Sequence, residues 1–303
     1  MRGAGIFGLS VACACARRGA RVRVVDPRGP GGGASGGSVG ALAPHTPENW
    51  NPKKAFQMDS LLMAEAFWAD VATRSGLDPG YGRCGRLQPV ADARALDLAQ
   101  ERAAGAARLW LGRADWRVVR RGAAGAFAPQ TPTGWLIEDT LSARLHPRRA
   151  CAALAGAIAA LGGDILTEAE TEGAEVLATG WEGLAALGEA FERTVGAGVK
   201  GQALLLDYAA PDAPQLFAAG LHIIPHSDGT TAVGSTSERD FADPTATDSQ
   251  IDALHARAVA VCPPRAGAPV LERWAGVRPR ARSRAPMLGG YPGRPRVFIA
   301  NGG

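Results

Sequence analysis

The chain has 303 residues, enough for two domains with sizeable cores. A hydrophobic share of 46%, a charged share of 20% and a net charge of +4 are those of a globular protein and exclude a disordered one. Aromatics are only 6% and the basic residues are scattered, so no basic stripe interleaved with aromatics offers a platform for DNA, and no apolar run is long enough to span a bilayer.

The chain opens on Gly3-Ala4-Gly5-Ile6-Phe7-Gly8, the spacing of a dinucleotide-binding fingerprint. The first Gly allows a tight turn, the second a close approach of backbone to a pyrophosphate, and the third close packing of the following helix. That helix is expected from about Ile6 to Arg18, stopped by Gly19. Its free N–H groups and positive dipole end would face the phosphates. Arg21 to Val25 reads as a strand ending in Asp26, roughly 20 residues on, where this fold places a carboxylate on ribose hydroxyls. Only Met1 and Arg2 precede Gly3. The strand that the fingerprint should follow is therefore missing, and the sheet is expected to lose a central member beside the ligand. The apolar run Ala4 to Ala16 is no signal peptide, because Arg17 and Arg18 follow it rather than lead it.

A Gly-rich loop, Pro27 to Gly40, comes next, at the ligand end of the sheet. Its small residues permit close approach, and Ser35 and Ser38 can donate to phosphate. Lys53 to Arg74 reads as a long amphipathic helix whose core face is Ala55, Leu62, Ala66 and Val71, with Phe56, Met63 and Phe67 beside it. Gly76 to Gly85 is turn-rich. Arg86 to Val90 is a short strand, Ala93 to Leu111 a helix, and Trp116 to Glu138 a mixture of strand signals and breaks. A second Ala-rich helix spans Arg149 to Leu161, followed by strands at Asp164 to Thr167 and Glu175 to Gly180. From Val199 the period changes to two. Ala203 to Asp207 and Leu221 to Pro225 are strands, with Ser227-Asp228-Gly229 turning into Thr230 to Ser235. Ser249 to Val261 is helical, and Arg296 to Ala300 is the last strand.

The five cysteines, Cys13, Cys15, Cys84, Cys151 and Cys262, have no zinc spacing, and their odd number argues against a disulfide framework. We read no metal site and a reducing, cytoplasmic setting.

Taken together, these stretches resemble the D-amino-acid oxidase and glycine oxidase superfamily of FAD-dependent oxidoreductases. The resemblance rests on the fingerprint with Val24-Val25-Asp26, on Gly33-Ala34-Ser35 with Gly40 to Pro44, and on Leu145 to Arg148. It continues through Ala178 to Trp181, Val199-Lys200-Gly201-Gln202, Ile224-Pro225 with Val233 to Thr236, Gly276 to Pro279 and Phe298 to Gly303. It implies an α/β fold, a Rossmann-like FAD-binding domain interleaved with an α+β substrate domain that has a mostly antiparallel sheet. Segments 1–83, 145–198 and 273–303 would form the first domain, and 84–144 and 199–272 the second. Relatives have a first strand and continue past the final Gly-Gly, so the resemblance implies a fragment cut at both ends that binds FAD poorly.

The resemblance also carries roles. Gly3, Gly5 and Gly8, with Ile6 and Phe7, would approach the FAD pyrophosphate. Asp26 would hold the adenosine ribose and Ser35 a phosphate. Ala41 and Leu42 would pass near the isoalloxazine ring, and Ala178, Thr179, Gly180 and Gly302 would line the cofactor. Arg278 is similar to the arginine that clamps the substrate carboxylate, a task suited to a planar guanidinium fork. A surface ion pair in an Arg-rich segment is the alternative reading of it. His222 sits where relatives place a substrate-facing Tyr, and an outward-facing His is equally compatible with the sequence. No cysteine lies between Arg278 and Gly289, so FAD would be non-covalent. The implied reaction is oxidation of the C–N bond of a small amino acid or amine, of glycine, sarcosine or D-amino acid type. Hydride would pass to the flavin, water would hydrolyse the imine, and hydrogen peroxide would form if oxygen is the acceptor; another electron acceptor and a homo-oligomer stay open. The alternatives are the flavin domain of a tRNA-modifying oxidoreductase acting on a carboxymethylaminomethyl group, and a non-catalytic flavin-fold protein.

Overall fold

The computed structural model describes residues 1–170 and 173–303. In chain order come α1 (Ile6–Ala16), β1 (Arg23–Val25), β2 (Ala41–Leu42), α2 (Pro52–Ser75), β3 (Arg86–Pro89), α3 (Ala93–Leu109), β4 (Trp116–Arg120), β5 (Trp135–Asp139) and β6 (Ala143–Arg144). Next are α4 (Pro147–Ala160), β7 (Asp164–Leu166), β8 (Glu175–Leu177), α5 (Gly180–Ala190), β9 (Gly196–Leu206), β10 (Gln215–Ala218) and β11 (Leu221–Pro225). The remainder is β12 (Thr231–Gly234), α6 (Gln250–Val261), β13 (Val270–Ala281), β14 (Met287–Gly290) and β15 (Val297–Asn301).

Two sheets organise the chain. In the first, β1 pairs parallel with β7, β8 pairs parallel with β15, and β14 closes antiparallel on β15. Arg2 joins the two halves by parallel bridges to Val25 and Leu177. Its N–H donates to the Val176 carbonyl at 2.8 Å and its carbonyl accepts the Ala178 N–H at 2.7 Å. On the other side, Val25 N–H donates to the Met1 carbonyl and Gly3 N–H to the Val25 carbonyl, both at 2.9 Å. Met1 to Gly3 thus hold the central position that sequence reasoning leaves empty. A few backbone groups suffice, because each ladder needs only its own N–H and C=O.

The second sheet has eight strands in the order β13-β9-β12-β11-β10-β3-β5-β4. Only β10 and β3 pair in parallel, so the mostly antiparallel sheet is observed. Strand alternation gives each face its own role. Leu204, Leu206, Leu216, Ile223 and Val233 pack on Ile251, Leu254 and Ala258 of α6. Across the other face runs one row of paired residues, Trp274, Ala203, Gly234, His222 and Phe217.

Helices α1 and α4 pack on each other through Leu9, Ala12, Cys13, Ala153, Leu154 and Ala157, all within one core that includes Val24 of β1. Pro147 starts α4 at its first position, where a missing N–H costs nothing. The buried stripe of α2 is Met58, Leu61, Ala64, Trp68 and Val71, whereas Phe56 and Met63 are 63% and 60% exposed. The buried stripe therefore lies nearly opposite the face expected from the sequence and shares only Val71 with it. Apolar residues occur on both sides of α2, and packing against α4 and Trp110 chooses between them. Helix α5 and strands β10, β13 and β14 go beyond the elements read from the sequence. Among the described residues no helix is long and apolar enough to cross a membrane.

Candidate active site

The glycines meet the rest of the chain at distances that explain their spacing. A Cβ on Gly3, whose φ is +105°, would lie 2.2 Å from the Ala178 carbonyl oxygen. A Cβ on Gly8 would lie 1.9 Å from the Gly3 carbonyl oxygen, so α1 seats directly on the turn. Gly5 caps α1 without a side chain, and the first turn has no acidic residue. The Ile6 N–H donates to the Ser35 hydroxyl at 3.0 Å, which folds the Gly-rich loop over the start of the helix. The same hydroxyl also lies within hydrogen-bond reach of the Cys151 thiol on α4. Asp26 is 8% exposed. Its Oδ2 accepts the Ala4 N–H and its Oδ1 the Arg28 N–H, both at 2.9 Å, so it also stitches β1 to the glycine turn.

These residues line one end of a cleft of about 790 Å³ that lies between the two sheets. Gly3, Gly5, Ile6, Phe7, Asp26, Ser35, Ala41, Leu42, Thr179, Gly180 and Arg278 all border it. Four expected residues do not. Ser38 is buried, with its hydroxyl outside the cleft lining. Gly8 is buried beneath the turn, and Gly302, with φ +77°, packs against Ala281, where a Cβ would come within 2.8 Å. His222 stands on the cleft-facing side of the eight-stranded sheet, one strand beyond Gly234, whose Cβ position meets the cleft residue Val39 at 2.7 Å.

Arg278 reaches the cleft from β13. Its Nη1 donates to the Ser235 hydroxyl at 3.0 Å and its Nη2 to the Thr236 carbonyl at 3.1 Å. Two of a guanidinium's five donors are so used, leaving three. Burial on the sheet side, and then Arg280, push its pKa down, yet the outer side of the group is exposed and it stays charged. His222 is pushed down to about 4, first by burial, then by Arg86 and Arg278. It is neutral near pH 7 and its Nδ1 is buried without a partner.

Sequence reasoning missed Arg28, Glu182 and Trp274. Arg28 Nη1 meets Glu182 Oε1 at 2.9 Å, and both residues border the cleft. Trp274 lies between glycines: a Cβ on Gly276 would come within 2.4 Å of its ring and one on Gly37 within 3.0 Å. Nothing local marks these three, because each acts on residues distant in the chain.

The chemistry of the end lined by α1 suits an FAD pyrophosphate. It offers the N-terminal end of α1, the Ser35 hydroxyl and glycines whose missing side chains keep the approach open. Among the described residues no His, Cys, Asp and Glu cluster is built for a metal.

A parallel sheet entered by a glycine turn, with a cleft at its ligand end, defines a dinucleotide-binding protein. The family described as FAD dependent oxidoreductase (DAO) matches residues 3–303, and the chain belongs to that family. Glycine oxidase of Pseudomonas putida is 37% identical over 102 residues, 33% of this chain and 28% of that enzyme. The match thus spans under a third of the curated relative. Glycine oxidase from Geobacillus kaustophilus superposes over 99% of this chain and 87% of its own, with a TM-score of 0.83 and 22% identity. Iminodiacetate oxidase from Chelativorans sp. BNC1 superposes over 99% and 88%, with a TM-score of 0.85 and 21% identity. Both structures share the fold.

Proposed function

We propose that the protein oxidises the C–N bond of a small amino acid or amine that carries a carboxylate, with glycine, sarcosine and D-amino acids as the leading class. The observation that carries this reading is Arg278, held by two oxygens at the cleft wall with donors to spare. Its fork takes the substrate carboxylate in two parallel bonds. That fixes the α-carbon relative to Ala41 and Leu42, which border the same cleft. Gly3, Gly5, Ile6, Phe7 and Ser35 hold the FAD pyrophosphate, Asp26 faces the ribose, and Thr179 and Gly180 line the other wall. FAD, when bound, supplies the two-electron oxidant that turns the amine into an imine, with oxygen or another acceptor taking the electrons onward. Water then hydrolyses the imine. His222 is neutral, so it serves as a hydrogen-bonding group and adds no charge to compete for the carboxylate. The five free cysteines fit a reducing compartment.

The glycine oxidases among the relatives support this substrate class. The test follows the visible spectrum of the FAD-loaded protein anaerobically as glycine, sarcosine and D-amino acids are added. Bleaching by one of them is expected. Arg278→Ala should keep FAD and lose about 100-fold or more in kcat/KM. Equal turnover in that variant would remove Arg278 from the site.

A further inference from the structure

The stretch Lys200-Gly201-Gln202 on β9 has no part in the site described so far. The Arg278 side chain crosses over Gly201, where a Cβ would lie 3.2 Å from both Arg278 Nη2 and the Thr236 carbonyl oxygen. Next to that crossing, Gln202 is fully buried. Its Nε2 donates to Glu238 Oε1 at 3.1 Å and to Asp248 Oδ1 at 2.9 Å. Its Oε1 accepts the Asp248 N–H at 2.9 Å. Its backbone N–H donates to the Thr236 hydroxyl at 2.8 Å, and its carbonyl accepts the Thr236 N–H at 3.2 Å. One glutamine therefore ties down both ends of the loop from Thr236 to Asp248.

Pairing beyond β12 explains why this loop needs a tie. Gly234 pairs with Ala203, and Glu238 pairs with Lys200. One extra residue is accommodated on the Gly234 side, a bulge that re-aims the Ser235 hydroxyl and the Thr236 carbonyl. Those are the two oxygens that hold the Arg278 guanidinium. The same loop brings Pro244 and Thr245 to the cleft edge. A bulge leaves ladder groups unpaired, so the local backbone depends on side-chain partners for its position.

We propose that Gln202 is a positioning residue for Arg278: it fixes the bulge at Ser235 and Thr236, and through it the angle at which the guanidinium meets a substrate carboxylate. This rests on the carboxylate-binding reading above. A buried amide with both N–H groups and its oxygen satisfied holds its partners rigidly, and a loosened support of this kind costs binding geometry rather than chemistry.

The experiment uses the FAD-loaded full chain and titrates acetate as a carboxylate probe, read by perturbation of the flavin spectrum, alongside KM and kcat with the best substrate. Gln202→Leu should raise the acetate Kd and KM about tenfold while kcat stays within about twofold. Asp248→Ala, at an exposed position, should raise the Kd by about threefold with no loss of folding. In Gln202→Glu a carboxyl would face Glu238 and Asp248, so its acetate affinity should recover as pH falls and the new group protonates. FAD content should match wild type in all three. Lost acetate affinity in Arg278→Ala with unchanged affinity in both Gln202→Leu and Asp248→Ala would overturn the role of Gln202 alone. Retained affinity in Arg278→Ala overturns the carboxylate reading, and this inference with it. If Gln202→Leu does not fold, Asp248→Ala and Gln202→Glu decide.

Discussion

His226 is a buried residue at which acid should loosen the structure, as it should at His222. It is 1% exposed, follows β11, and sits between the two halves of the protein. Its Nε2 lies 2.9 Å from the Ser38 carbonyl in the Gly-rich loop, so that nitrogen carries the proton. Its Nδ1 is buried and unpartnered, and the His146 ring is 4.6 Å away. Burial, and then His146, push its pKa down to about 4, and the charge of Arg144 adds to this. The Ser38 carbonyl and Asp228 work against the shift and are outweighed. The folded protein thus refuses a proton that the unfolded chain accepts near 6.5. As pH falls below about 6.5 the unfolded state gains protons first, so stability declines until about pH 4 and then levels off for this group. With these two values the loss is about 2–3 kcal/mol at about pH 4.5, a large share of the roughly 5–15 kcal/mol that holds a typical fold.

Urea unfolding at about pH 7 and about pH 4.5 measures the effect, with His226→Gln as the comparison. The Gln amide can still donate to Ser38 but does not titrate. Its loss of stability between the two conditions should be smaller than that of wild type by about 2–3 kcal/mol, because the groups away from His226 titrate alike in both proteins and cancel. An identical loss in the two proteins would refute the assignment of the acid sensitivity to His226.

Two further substitutions probe the fold under the site. Gly8→Ala puts a methyl where the Gly3 carbonyl oxygen is 1.9 Å away, and both are backbone-bound, so the variant should lose FAD and at least about 1–3 kcal/mol of stability, read by thermal melting and retained flavin. Arg86→Leu strands Asp139, which is fully buried and 2.9 Å from Arg86 Nε, and should cost about 3–5 kcal/mol in denaturant unfolding. Adding Asp139→Leu should recover only part of that, since Asp139 also accepts the Ser142 N–H at 2.8 Å.

The sequence by itself determined what is local. The glycine turn, α1, β1 and Asp26 are legible because the turn needs φ > 0 and close approach at fixed spacings, and those needs are written within 26 residues. The period-two stretches at β9, β11 and β12 are legible because one face must be apolar to meet α6. Tertiary structure decided the rest. It chose the Met58–Trp68 stripe of α2 over the Phe56–Met63 one, since both are apolar and only the neighbours differ. It made a strand of Val270 to Ala281, whose charged residues Glu272, Arg273, Arg278 and Arg280 hide the pattern, because β9 offers a partner along that length. It gave Met1 to Gly3 the centre of a sheet through bonds to segments more than 20 and 170 residues away. It also set Arg278 against Ser235 and Thr236 and joined them to Gln202. Such pairings are fixed by burial and hydrogen-bond satisfaction among distant residues, and no single stretch of sequence contains them.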